Sequence, residues 1–99
     1  MVVIWKLVAE ISVQPEDVPS GLTKGFMNVL TWADSAESAE RKLSDYFKRF
    51  DWHVISIEDA RIIHDDEEFE CDEMQDMLER TKANLNAIML GTFHSYKPN

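Results

Sequence analysis

Every odd position from Val3 to Val13 is apolar: Val3, Trp5, Leu7, Ala9, Ile11 and Val13. This is the period-two signature of a strand with one face in a core. The even positions, Val2, Ile4, Lys6, Val8, Glu10 and Ser12, are apolar at the N-terminal end and polar at the other. Part of the second face therefore also asks for cover. "QPEDVPSGLTKG" (14–25) holds two prolines and two glycines, which is loop chemistry and predicts a long, mobile connection. "FMNVLTWA" (26–33) is rich in β-formers and predicts a second strand antiparallel to the first.

The period then changes. Asp34 or Ser35 is placed to cap a helix on which Ala36, Ala39, Leu43, Tyr46, Phe47 and Phe50 form one apolar stripe. Glu37, Arg41, Asp45 and Arg49 follow one another at four-residue spacing on its outer side, and Asp51 marks its end. Trp52 to His64 restores β character, but the alternation slips near Glu58 and Asp59. A bulge, or a turn that splits the segment in two, accounts equally for the slip. A second helix is predicted from about Cys71 to Ala83, with Met74, Met77, Leu78 and Thr81 toward the core and Asp72 and Gln75 at capping-box spacing. "AIMLGTFHSY" (87–96) reads as the last strand.

The order ββαβαβ predicts an α+β fold, a two-layer α/β sandwich with a mixed four- to five-stranded sheet. Both helices are expected on one face, because right-handed crossovers between parallel strands in one direction place them there. A split at Glu58 would turn the layout into a ferredoxin-like variant. The other face would then be bare, and Val2, Ile4 and Val8 on it predict a homodimer through the open sheet face.

Length adds that 99 residues suffice for one core, so a single domain over 1–99 is expected. The longest uncharged run, Ala83 to Tyr96, has fourteen residues, whereas a bilayer span needs roughly 20 apolar ones. "MVVIWKLVAEISV" has lysine inside its apolar run and lacks a cleavage-site pattern, so it reads as a strand rather than a secretion signal. With a single cysteine there is no internal disulfide, and a cytoplasmic location is the expectation.

Charge changes the picture most. Of nineteen acids, nine lie between positions 65 and 79: Asp65, Asp66, Glu67, Glu68, Glu70, Asp72, Glu73, Asp76 and Glu79. No base lies in that window, and outside it ten acids meet ten bases, so the net −9 belongs to this segment alone. Such a field disfavours nucleic acid and anionic membrane and favours a basic protein surface. One or two carboxylates satisfy a helix start, and the rest repel one another.

Candidate chemistry elsewhere is sparse. His64, Asp66, Glu70 and Cys71 lack the spacing of a zinc site, and no glycine lies between Gly25 and Gly91 to turn a calcium loop, so no metal or cofactor is expected. The acids around Cys71 disfavour a thiolate, which makes it a small core residue rather than a nucleophile. Of His53, His64 and His94, the last has the most suggestive neighbours: Thr92, His94 and Tyr96 alternate onto one strand face after Gly91. Trp5, Trp32 and Trp52 read as core or interface anchors.

Two functions follow. The first is a non-enzymatic binding protein of the inhibitor or immunity type, docking a basic partner through the acids of 65–79. The alternative is a small dimeric enzyme or ligand-binding domain with a pocket near His94, between the sheet and the 14–25 loop.

Overall fold

Strand β1 (Val3–Ser12) lies at the centre of the fold because both of its edges are paired. On one side β2 (Lys24–Ala33) runs antiparallel to it, from Val3 opposite Ala33 to Ser12 opposite Lys24. On the other, β3 (His53–Ile63) is also antiparallel, from Ile4 opposite Ile63 to Ser12 opposite His53. Two short strands, β4 (Ile88–Leu90) and β5 (His94–Ser95), line the outer edge of β2. The sheet order is β3-β1-β2-β4, with β5 also on β2. Helices α1 (Ala36–Phe47) and α2 (Asp72–Ala83) complete the α+β fold, and the computed structural model describes residues 1–97.

The odd face of β1 behaves as its alternation requires. Leu7, Ala9, Ile11 and Val13 are buried with Met27, Val29 and Ala33 of β2 under Ala39, Leu43 and Phe47 of α1. Ser35 caps α1 by accepting from the Ser38 N–H at 3.1 Å. The helix tightens into a 3-10 turn over Lys48–Phe50 and stops at Asp51, whose φ of 58° is left-handed. Of the charges spaced along the outer side of α1, only Asp45 is ion-paired among the described residues, and its partner is Lys48 at 3.4 Å.

The even face carries the second helix. Ile4, Leu30 and Ile63 are buried beneath Met74, Met77 and Leu78 of α2, with Trp32, Phe69 and Met89 packed around them. Side chains alternate across a strand, so α1 and α2 cover opposite faces. This corrects the expectation of both helices on one face. It also corrects the mixed sheet, since every strand pair is antiparallel. The two corrections share one cause. β2 and β3 both run antiparallel to β1 and hence parallel to each other, so α1 makes a crossover. β3 and β4 run antiparallel, so the crossover rule does not govern α2, and the layout is not ferredoxin-like. Within one chain, α2 supplies the cover that Ile4 called for. Val8 remains half-buried and Val2 exposed.

Three local expectations are settled. The segment after Trp52 is one bulged strand: the register on β1 slips at Val8/Ala9 and again at Glu10/Ile11. The last strand is broken, because three residues (91–93) span the distance that two (27–28) cover on β2. The 14–25 loop is anchored rather than free: Val13 N–H donates to Thr23 O at 2.7 Å, Gln14 Nε2 to Asp51 O at 2.8 Å, and Trp52 Nε1 to Asp17 Oδ2 at 2.8 Å. Where β5 crosses it, β2 needs Gly25, since a Cβ there would lie 2.5 Å from the His94 carbonyl oxygen.

A true second core under α2 makes Leu78→Ala as costly as Leu43→Ala under α1, about 2–5 kcal/mol each by urea denaturation. A cost below about 1 kcal/mol for Leu78→Ala would show that α2 merely rests on the sheet.

Candidate acidic face and adjoining cleft

The acid run starts where β3 ends. The chain turns at once, with Glu67 N–H donating to His64 O at 3.1 Å. Glu67 then reaches back to Arg61 in a two-pronged pair, Oε1 to Nη1 at 3.0 Å and Oε2 to Nη2 at 2.7 Å. The Arg61 hydrogen bonds, aided by the His64 N–H, hold the Glu67 carboxyl below the usual carboxylate range. Arg61 also lies over the Phe69 ring, 5.9 Å from its centre, and Phe69 packs into the α2 core.

From there the segment runs back alongside α2. Lys82, in the last turn, donates to the Asp65 carbonyl at 3.1 Å, while Gln75, near the first, accepts from the Phe69 N–H at 2.8 Å. These two contacts hold opposite ends of the segment against one helix. Cys71 is the N-cap, is exposed and caps with no side-chain bond. It is therefore not the core residue expected, because the buried stripe of α2 begins at Met74. Gln75 serves Phe69 instead of closing a capping box with Asp72.

The nine carboxylates separate into two groups. Glu67 is spent on Arg61, Asp76 on Arg80 at 3.0 Å, and Glu73 on the N–H and hydroxyl of Thr92 at 2.9 and 3.0 Å. Asp65, Asp66, Glu68, Glu70, Asp72 and Glu79 are exposed, and none bonds a protein group through its carboxylate among the described residues. Their backbone is fixed and their charges are uncompensated. Among the described residues, no three His, Cys, Asp or Glu side chains converge where a metal ion would be held.

At the start of this segment lies a cleft of about 410 Å³. Buried Ile4 and Ile63 and half-buried Trp32 line it together with exposed Met1, Val2, His64, Asp65 and Lys82. The Trp32 ring is fixed by its indole N–H, which donates to Thr81 O at 2.6 Å. The sequence hides this cleft because its walls come from four separate segments. A second hollow, of about 400 Å³, runs along the outer side of α1 to the start of the 3-10 turn that follows it, lined by residues such as Glu37, Arg41 and Lys48.

No family model, no curated protein and no solved structure matches this chain.

The C-terminal trio gives an enzyme reading no support. Thr92, His94 and Tyr96 do share the even face, with Phe93 between them packed toward the α1 core. Their polar groups do not converge. Thr92 is held by Glu73, Tyr96 O–H donates to Glu10, and His94 is exposed with no partner among the described residues. None of the three lines either cleft. Glu10 is the residue that sequence reasoning overlooked here. It lies on the wetted half of β1, and only the pairing of β5 to β2 brings Tyr96 within its reach. The sole signal was a charge on an otherwise β-forming strand.

Glu10 and Tyr96 define a pH test. The hydrogen bond to Glu10, followed by burial and the charges of Glu10 and Glu58, raises the Tyr96 phenol above its ordinary value. A folded value above the unfolded one adds stability that is complete below about pH 10 and is lost as pH rises through the folded value. Between pH 9 and 11.5 the wild type should therefore lose more unfolding free energy than Tyr96→Phe. Parallel profiles for the two would refute the contact.

Proposed function

We propose that the protein is a non-enzymatic binding module that docks a basic protein surface through the carboxylates of 65–79, as an inhibitor does against a cationic target. One observation carries this reading: the carboxylates left over after the fold's own needs are met sit on a backbone fastened at Asp65, Glu67 and Phe69. Like charges so close together cost stability, by a few tenths of a kcal/mol for each neighbouring helical pair. Residues that cost stability without serving the fold are characteristic of function. A rigid array also avoids the ordering cost that a floppy acidic tail would meet on binding. The same field repels phosphate backbones and anionic lipid, so a basic protein is the favoured partner class. Neither of the two clefts described above is lined by His94, around which the alternative, a small dimeric enzyme, would place its pocket.

The test uses Asp66→Asn, Glu68→Gln, Glu70→Gln and Glu79→Gln together, leaving Glu67, Glu73 and Asp76 in place. The fourfold variant should be at least as stable as the wild type in low-salt urea denaturation. Against a partner recovered from the source cells, its association rate at low salt should fall about tenfold or more and lose most of its salt dependence. A variant destabilised by more than about 1 kcal/mol would place these acids in the fold. An unchanged association rate would remove them from the interface.

A further inference from the structure

The outer edge of β3 is free. The sheet ends there, and among the described residues no backbone group bonds that edge from outside. Bulges disturb its first half, but from Asp59 to Ile63 it pairs with β1 without a slip, Asp59 opposite Val8 and Ile63 opposite Ile4. This stretch is a regular edge on which one more strand can build its ladder. Successive side chains of such a strand fall on opposite sides of the sheet. On the odd side they meet Ala60 and Ile62, and Ile62 is apolar yet 42% exposed beside Trp5. On the even side they meet Asp59 and the acidic segment, which Arg61 holds to that side through Glu67 and Phe69.

Charge selects the occupant. From Glu58 to Glu70 there are seven acids and one base, Arg61, and that base is held by Glu67. The other cations near this part of the sheet are Lys6 opposite Arg61, Lys82 at the Asp65 carbonyl and the Met1 ammonium in the cleft beside Ile63. Seven acids against all four bases still leave −3. Lys42 of α1 is engaged two strands away, at the Trp32 carbonyl of β2. A second copy of this chain would bring the same acids to the same edge, and the Arg61 that could answer Asp59 is already taken by Glu67. The carboxylates therefore guard the edge against like chains, as edge charges commonly do. An extended segment with basic side chains toward the acids and apolar ones toward Ile62 suits both sides of the edge. We infer that the β3 edge from Asp59 to Ile63 takes such a segment of the basic partner as an added strand. This rests on the acidic docking surface proposed above and deepens it with the backbone contact that orients the partner. In such pairing the main-chain hydrogen bonds supply the hold, and the alternating side chains supply the selectivity.

The test needs no knowledge of the partner. The whole chain is titrated with the blocked peptide acetyl-Thr-Arg-Val-Arg-Val-Arg-Thr-amide while amide NMR signals and their hydrogen exchange are followed. Shifts should centre on Asp59 to Ile63, and the outward amides of that stretch should exchange more slowly in the complex. Two further peptides carry N-methyl groups, one on both valines and the other on two of the arginines. The N–H groups of alternate residues point to opposite edges of a strand, so only one of these sets faces β3. One methylated peptide should therefore bind about tenfold or more weakly than the other, since it loses two backbone hydrogen bonds. Glutamates in place of the arginines should abolish binding, and the fourfold acid-to-amide variant should weaken the parent peptide severalfold. Equal affinity of the two methylated peptides would overturn the added strand and leave the acidic face standing, as would binding of hexa-arginine alone. A glutamate peptide that binds as tightly as the parent would overturn the charge selection. Protection of the 59–63 amides in the free protein that disappears on dilution would give the edge to a second copy. If neither the parent peptide nor hexa-arginine shifts any signal, the docking surface itself fails.

Discussion

Everything in this fold depends on β1 being paired along both edges and covered on both faces. An internal strand has no free backbone groups to offer solvent, so its side chains alone determine what must pack on it. Its odd face, from Leu7 to Val13, is apolar throughout and takes α1 along most of its length. Its even face is apolar at Ile4, which α2 covers, and at half-buried Val8, and polar at Glu10 and Ser12, where no helix lies. The position of α2 follows from that asymmetry. So does the route of the chain entering α2, which must travel from the end of β3, beside Ile4, to the far end of the helix. That route is the acidic segment.

The acidic segment thus has a structural duty and a surplus. The duty is discharged by few groups: Glu67 closes on Arg61, Asp76 on Arg80, Glu73 ties the first turn of α2 to the bulge at Thr92, and Gln75 and Lys82 fasten the backbone. None of these uses Asp65, Asp66, Glu68, Glu70, Asp72 or Glu79 as an acid. Their charges face outward from a well-packed support. Such an arrangement stores electrostatic energy that a cationic surface would release on contact.

Local periodicity made much of this legible in the sequence. Both helices, most of their buried stripes and the β1 alternation follow from spacings within a few residues of one another: Met74, Met77, Leu78 and Thr81 are all buried, as are Ala39, Leu43 and Phe47, whereas Phe50, expected on the α1 stripe, is exposed because the helix has tightened into a 3-10 turn there. The slip at Glu58 was visible as a broken alternation, and pairing with β1 resolves it into a bulge. What escaped the sequence is whatever depends on strand direction. Placing α2 needs the knowledge that β3 and β4 run antiparallel, which no local pattern encodes. The same holds for the candidate site. The charge count located the acids, but the separation into spent and free carboxylates rests on Arg61, Arg80 and Thr92. The cleft rests on Ile4, Trp32, Ile63 and Lys82, which meet only in three dimensions.

On the reading proposed above, the free carboxylates of 65–79 are a surplus the fold tolerates rather than uses. The most direct measurement is the thermal unfolding midpoint of the wild type in NaCl and KCl from low concentration to about 0.5 M, where the screening length falls well below 10 Å. If the acids repel one another without compensation, screening relieves them and the midpoint rises with either salt. A midpoint that falls as salt is added would mean that these charges hold the structure together and are no surplus.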